Sequence, residues 1–439
     1  MKHLFSLYCA MLACGVAMAQ TTRIDFVEYE LPNGLKVLLH EDHSTPIVAV
    51  TMMYHVGSKN ENPARTGFAH FFEHLLFEGS DNIKRGEIDK YVANAGGTLN
   101  ANTWYDRTFY HEVLPSNQLA LGLWIESERM MHAKVEQKGI ETQRQVVKEE
   151  RRLRIDNQPY GRLLEEVMAR CYKVHPYKWS VIGSMEHLDA AVEADYVNFY
   201  KTFYVPNNAI LSIAGDITPA DAKKMIADYF GPIPKGIGTV PRPSPDAEPA
   251  LTAEIRDSTF DNIQLPALVM AYRVPQQGST DYYAISMLNQ LLSDGESSRF
   301  RKAMVNEQQN AVEVGSFPLN LEDPSVVVMF AIANSGYTNR NLEKSIDDEI
   351  TKVQNELVSE QEFQKLRNQV ENNLISGYTT MIDRAEALAN YKMYFGDANL
   401  INSEINKYMA VTRADIQRVA KQYFTKTNRI VLDYLPKKS

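Results

Sequence analysis

Residues 194–215, ADYVNFYKTFYVPNNAILSIAG, recur in altered form at 414–435 as ADIQRVAKQYFTKTNRIVLDYL. Ala194/Ala414, Asp195/Asp415, Lys201/Lys421 and Asn208/Asn428 are identical. Both copies read as a helix, an aromatic pair, an asparagine turn and a β-branched strand. A second pair aligns at a similar offset: FFEHLLFEGS (71–80) with MLNQLLSDGE (287–296), sharing Leu75/Leu291, Leu76/Leu292 and Gly79/Gly295. Two matches at nearly one spacing define a tandem duplication, so the chain has to build one kind of unit twice. Between the copies, GPIPKGIGTVPRPSPDAEP (231–249) carries six prolines and three glycines. It cannot continue a helix or a central strand, and reads as a linker between domains at 20–230 and 250–439. Within each half, alternating strand patterns such as VAVTMMYHVG and AILSIAG mix with longer helical ones, without strict βαβ alternation. This predicts an α+β fold for each.

The N-terminus separates from these units. Met1-Lys2-His3 precedes an apolar run from Leu4 to Val16 and then Ala17-Met18-Ala19, the pattern of a cleaved signal peptide over 1–19. A lipid anchor at Cys14 is the weaker reading, because Met11-Leu12-Ala13 is a poor approach to a lipidated cysteine. The pattern predicts export, to the periplasm, the envelope or beyond it. Cys9 and Cys14 leave with the signal, so Cys171 stands alone and no intrachain disulfide can form. No other stretch approaches the ~20 apolar residues of a membrane span. With 46 Lys+Arg against 55 Asp+Glu, and no dense basic run, the chain lacks a nucleic-acid footprint.

The segment GFAHFFEHLLFEGS (67–80) carries the chemistry. Thr66 is the expected N-cap and Gly79 the expected stop. Phe68, Phe71, Phe72, Leu75 and Leu76 fall on one helical stripe, and His70, Glu73 and His74 centre almost opposite it. Four-residue spacing stacks two imidazoles on adjacent turns, where both can reach one cation about 2 Å from each nitrogen. Glu73 borders the same place. A solvated helix face would satisfy the same pattern, yet such faces usually carry Lys, Glu and Gln, and this chain has only ten histidines. In the second copy Asn289 and Gln290 replace Glu73 and His74, so the fold does not require the ionisable pair. A third ligand is available in ETQRQVVKEERRLRIDNQP (141–159). There Val146, Val147 and Leu153 give an apolar stripe that includes Glu150 and leaves Glu149 outside. A carboxylate in a buried stripe is costly unless paired or bound to a cation.

With these residues in place, the chain resembles the pitrilysin or insulinase (M16) family of zinc metallopeptidases. It is most like the short members of the mitochondrial-processing-peptidase type. The likeness rests on the inverted motif His70-Phe71-Phe72-Glu73-His74, on Glu150 after 75 further residues, and on three more stretches. These are YELPNGLKVLLHED (29–42), GGTLNANTWYDRTFYHEVLP (96–115) and FYVPNNAILSIAGDI (203–217). The resemblance implies two homologous α+β domains arranged as half of a clamshell. It also implies Zn2+ on His70, His74 and Glu150, Glu73 as general base and then acid, and peptide substrates. GGTLNANT is the position of the family's edge strand, so Asn100 and Ala101 become candidates for holding a substrate backbone by strand addition.

Two departures matter. Where the family often has a second glutamate beside the metal, this chain has Gln143. Where active relatives place an arginine and a tyrosine seven residues apart, the stretch SSRFRKAMVNEQQNAVEVGS (297–316) puts Val305 and Val312. Neither valine can donate a hydrogen bond to a developing oxyanion. The resemblance therefore implies a homologous partner supplying those groups, unless Arg299 or Arg301 substitutes. A catalytically silent scaffold or peptide-binding subunit is the competing reading.

Overall fold

The computed structural model describes residues 23–244 and 248–437, so the segment read as a signal peptide, 1–19, lies outside the described residues. The duplication is visible strand by strand. The first half supplies β1 (Val27–Glu30), β2 (Lys36–Glu41), β3 (Ile47–Tyr54), β4 (Thr98–Thr103), β5 (Thr108–Pro115) and β6 (Ala209–Gly215). They lie in the order β1-β2-β6-β3-β5-β4. The second supplies β7 (Ile255–Asp261), β8 (Ala267–Val274), β9 (Ala311–Pro318), β10 (Ser325–Ala333) and β11 (Arg429–Pro436), in the order β7-β11-β8-β10-β9. Apart from the extra edge strand β1, the two orders coincide. Each sheet has one parallel pair, β2/β6 and β7/β11, among antiparallel ones.

The helices repeat as well. The first half has α1 (Phe68–Leu75), α2 (Ile88–Asn94), α3 (Leu119–Met131), α4 (Gln137–Arg151), α5 (Leu163–Cys171), α6 (Met185–Ala190), α7 (Glu193–Phe203) and α8 (Pro219–Phe230). The second has α9 (Tyr282–Ser293), α10 (Asn339–Asn355), α11 (Glu360–Ser376), α12 (Met381–Phe395), α13 (Glu404–Ala410) and α14 (Arg413–Tyr423). The asparagine shared by both copies does the same work twice. Asn208 Nδ2 donates to the Phe203 carbonyl at the end of α7 and to that of His55 after β3, at 2.8 and 3.2 Å. Asn428 Nδ2 donates to Tyr423 at the end of α14 and to Arg273 on β8, both at 2.8 Å. A side-chain amide there satisfies helix carbonyls that have no partner within the helix.

Each sheet packs its own helices on one face. On the other it receives a helix from the opposite half, which no amphipathic pattern reveals. Val167, Met168 and Cys171 of α5 cluster with Val269, Ala271, Ile430 and Leu432 of the second sheet. In return, Leu388 and Ala389 of α12 pack on Leu38, Met53 and Phe109, and Met381 and Ala385 on Ala49 and Ala214 of the first sheet. A buried ionic cluster adds to this exchange. Lys59, 3% exposed, lies 2.8 Å from Asp106 and 2.6 and 3.1 Å from Glu322 and Asp323 of the β9–β10 turn.

The proline-rich segment has no helix or strand among its described residues, and it is tied down. Arg242 donates to the His55 carbonyl and to Asn208 Oδ1. The Glu248 carboxylate accepts the successive amides of Lys173, Val174 and His175. It is a strap tied to both halves, because Glu248 also pairs with Arg273 of β8 at 2.8 Å.

Candidate metal centre

Helix α1 begins one residue later than the sequence suggests. Its N-cap is Gly67, in the left-handed region at φ 92°, where a Cβ would meet the Ile182 carbonyl at 2.7 Å. Thr66 does not cap the helix; its hydroxyl pairs with His187 Nδ1 at 2.8 Å. The free amides at the helix start are met instead by Glu61, whose two oxygens accept from Gly67 and Ala69 at 2.8 and 2.9 Å. At the other end α1 stops at Leu75, four residues before Gly79. Phe68, Phe71, Phe72, Leu75 and Leu76 are all buried in the core of the first half. Phe72 stacks with Phe199 and Phe68 with Tyr196, which fixes the rotation of α1 and hence the direction of His70 and His74.

The register of α4 needs a correction. Val146 and Leu153 are 43% and 56% exposed, and of the expected stripe only Val147 is buried. The buried face runs through Ile140, Arg144 and Val147. Arg144 can be there because its guanidinium donates to the Asp189 and Ala191 carbonyls at 2.9 and 3.1 Å. Glu150 follows one turn after Val147 on this corrected face. Glu149 points outward, paired with Arg152 at 3.0 Å.

These two helices bring His70, His74 and Glu150 together, with one donor atom from each inside 4.8 Å. Glu150 Oε2 lies 3.0 Å from His74 Nε2 and 3.5 Å from His70 Nε2. Neither imidazole makes a well-aligned hydrogen bond to it, and Oε2 is buried without a hydrogen-bond partner. The other carboxylate oxygen pairs with Arg154 at 2.9 Å. Burial first, and the neighbouring His74 second, hold the His70 imidazole down at about 4, so it is a neutral lone-pair donor at pH 7. His74 in turn keeps the Glu150 carboxyl below its ordinary value. Two imidazole nitrogens and one carboxylate oxygen, with an orphaned buried anion among them, fit a catalytic zinc that keeps an open position. Gln143, one helical turn before Val147, donates from Nε2 to Glu78, which also pairs with Arg85 at 2.7 Å. A carboxylate thus stands against Gln143 from the α1 side.

Glu73 is held by a residue that sequence reasoning missed. Thr103 Oγ1 donates to Glu73 Oε2 at 2.7 Å. Burial raises the Glu73 carboxyl above its usual range, and the Thr103 bond opposes that rise. Strand alternation puts Thr103 on the same face as Ala101, which was the one available signal. The same contact recurs in the second half, where Ser316 of β9 donates to Asn289 Oδ1. The helix-to-strand bond therefore belongs to the duplicated fold, whereas the ionisable group occurs in only one copy.

Asn100 and Ala101 lie on β4, the outer strand of its sheet. Trp104 N donates to Arg107 O at the hairpin, so by alternation the main chains of Leu99, Ala101 and Thr103 face the open edge. The Ala101 amide accordingly pairs only with the adjacent Asn100 side chain, at 2.9 Å. In the second half, Val305 packs half-buried against the core and Val312 is 45% exposed on β9. Arg299 makes a two-pronged pair with Glu362, and Arg301 pairs with Glu296 at 2.6 Å. Both arginines are engaged within their own half.

Known proteins resemble this chain in sequence and in fold. Residues 36–184 match the family model for insulinase (peptidase family M16), and residues 193–370 match that for the peptidase M16 inactive domain. The zinc protease PqqE of Helicobacter pylori is 30% identical over 402 residues, which span 90% of each chain. The chain belongs to the insulinase (M16) family of peptidases. The probable mitochondrial-processing peptidase subunit beta of Arabidopsis thaliana is 21% identical over 403 residues, 90% of this chain and 75% of that one. Among solved structures, a protease from Helicobacter pylori superposes with a TM-score of 0.90 at 28% identity, covering 94% of this chain and 100% of that one. The periplasmic protease PqqL from Escherichia coli shares the fold at a TM-score of 0.75 and 18% identity; the match covers 94% of this chain and 48% of that one. The second family match begins at Glu193, although β6, which lies within it, is an inner strand of the first sheet. Among the described residues, no helix is long and apolar enough to cross a membrane.

Proposed function

We propose that the chain is the zinc-bearing subunit of an exported endopeptidase that hydrolyses peptides or unfolded polypeptides. The observation that carries this reading is the meeting of His70, His74 and Glu150, from two helices, beside the half-buried carboxylate of Glu73. Zinc held by those three residues supplies a Lewis acid that polarises the scissile carbonyl and acidifies a water. Glu73 takes the proton of the attacking water on Oε1, the oxygen Thr103 leaves free, and returns it to the leaving amine. Ala101, between Leu99 and Thr103, presents an open strand edge along which a peptide backbone can be laid, while the main chain of Asn100 faces β5 and its side chain holds the Ala101 amide. Gln143, next to Glu78, adjusts the surroundings of the site and is not a ligand. In this reading the two domains divide at 231–249, and export rests on the pattern at 1–19.

With Val305 and Val312 in place of the arginine and tyrosine, oxyanion stabilisation has to come from a homologous second chain. Those two valines also favour the competing reading, a silent peptide-binding or scaffold subunit. Hydrolysis of a denatured peptide, with and without a chelator and with and without such a partner, separates the two. Chelator-sensitive cleavage that depends on the partner supports the proposal; no cleavage under any of these conditions contradicts it.

A further inference from the structure

A cavity of about 570 Å³ lies where the two halves meet, on the α12 side of the first sheet. Trp104, the residue after β4, and Leu319, the residue after β9, both line it, so the outer strands of both sheets end there. Its walls are rich in aromatic residues, with Trp104 from the first half and Tyr378 and Tyr394 from the second. The charged groups at its rim are already engaged. Arg107 donates to Asn102 and to Glu386, the latter at 2.7 Å, and Glu404 accepts the Tyr391 hydroxyl. Two neutral polar atoms are not engaged. Gln277 Nε2, a donor, and Asn390 Oδ1, an acceptor, are buried without partners, and both residues line the cavity. Orphaned buried amide atoms are costly and ask for a ligand that supplies both functions.

A peptide carries both in every backbone amide. One added along β4 would place alternate side chains on the two faces of the sheet. One set would face α1 and Glu73; the other would face α12 and this cavity. The volume falls in the range of specific small-ligand pockets, and the lack of free charge on the wall disfavours an ionised group.

We propose that this cavity is a subsite for a large neutral side chain, aromatic or aliphatic, of a peptide laid along β4, with Gln277 and Asn390 binding an amide of that peptide. The proposal rests on the peptidase reading for the identity of its ligand, but its test does not require turnover. The protein carrying Glu73→Gln is stripped of metal with a chelator. It is then titrated with two labelled ten-residue peptides that are identical except for a central Phe or Ser. Fluorescence anisotropy gives Kd, and tryptophan emission reports the place. The Phe peptide should bind at least tenfold more tightly than the Ser peptide and perturb emission in a way that Trp104→Phe removes. Asn390→Leu and Ala387→Phe, which fills the cavity, should each raise Kd at least tenfold with an unchanged melting temperature. Equal binding of the two peptides, or no binding of either at millimolar concentration, overturns the subsite whether or not those variants fold. Wild-type affinity in folded variants overturns it too. Selective binding by a protein that never cleaves would leave the subsite standing and count against the hydrolase reading alone.

Discussion

Glu150 Oε2 sits 3.0 Å from His74 Nε2, although 75 residues of sequence separate the two. The contact exists because α1 and α4 are clasped on both sides of it. The aromatic packing of Phe72 and Phe68 orients one helix, and the carbonyl-bound Arg144 seats the other. The carboxylate is thereby buried among imidazoles with one oxygen unsatisfied. An unsatisfied carboxylate oxygen beside two imidazoles has the chemistry of a divalent-cation site.

Glu150 and its neighbour should respond differently to the same substitution. Glu150→Gln removes the anion among the imidazoles and should weaken zinc binding at least a hundredfold in chelator competition. Glu149→Gln alters only an exposed pair with Arg152 and should leave affinity unchanged. Equal losses would mean that α4 is rotated from the orientation described.

Glu73→Gln should retain stoichiometric zinc and lose about 10²–10⁴ in turnover, the range of a positioned general base. Metal analysis and peptide hydrolysis on one preparation check both halves of this expectation. Full turnover in the variant would remove Glu73 from the mechanism.

The isolated chain should be a poor enzyme. Each missing oxyanion donor typically costs ~10²–10³ in turnover, and Arg299 and Arg301 are tied to Glu362 and Glu296. Mixing with a homologous chain that carries the arginine and tyrosine should raise the rate by at least a hundredfold. A fast reaction by this chain alone, as monomer or homodimer, would refute the division of labour.

Much of this was legible in the residues, and the rest was hidden for physical reasons. The duplication could be read because Asn208 and Asn428 each need the same side-chain amide at a helix end. The direction of His70 and His74 followed from the phenylalanine stripe on α1. The face of α4 is hidden from the sequence because a buried arginine satisfied by carbonyls looks exposed in a hydropathy pattern. The start of α1 was misplaced because its cap comes from Glu61, outside the local capping signature. For Thr103 strand alternation is the only local signal, and the exchange of α5 and α12 rests on long-range contacts that nothing in the local sequence of either partner announces.

Acid should loosen the contact between the halves. Against its burial, His55 first and Lys59 second hold the Glu322 carboxyl at about 2, within a cluster that includes Asp106, Asp323, His175 and Arg242. The folded value is depressed, so this contribution is fully present above the unfolded value near ~4.3. It is lost as pH falls through about 2. Thermal unfolding should show a falling melting temperature between pH 5 and pH 2, with a shallower slope in Glu322→Gln. A parallel slope in the variant would show that the cluster does not carry the effect.

The proposed hydrolysis stands on one zinc ion held by His70, His74 and Glu150. Its most direct test is the metal content of the purified mature protein beside that of His74→Ala, with folding checked by thermal unfolding. One zinc per folded chain is expected in the first and none in the second. Wild-type zinc in folded His74→Ala would contradict this.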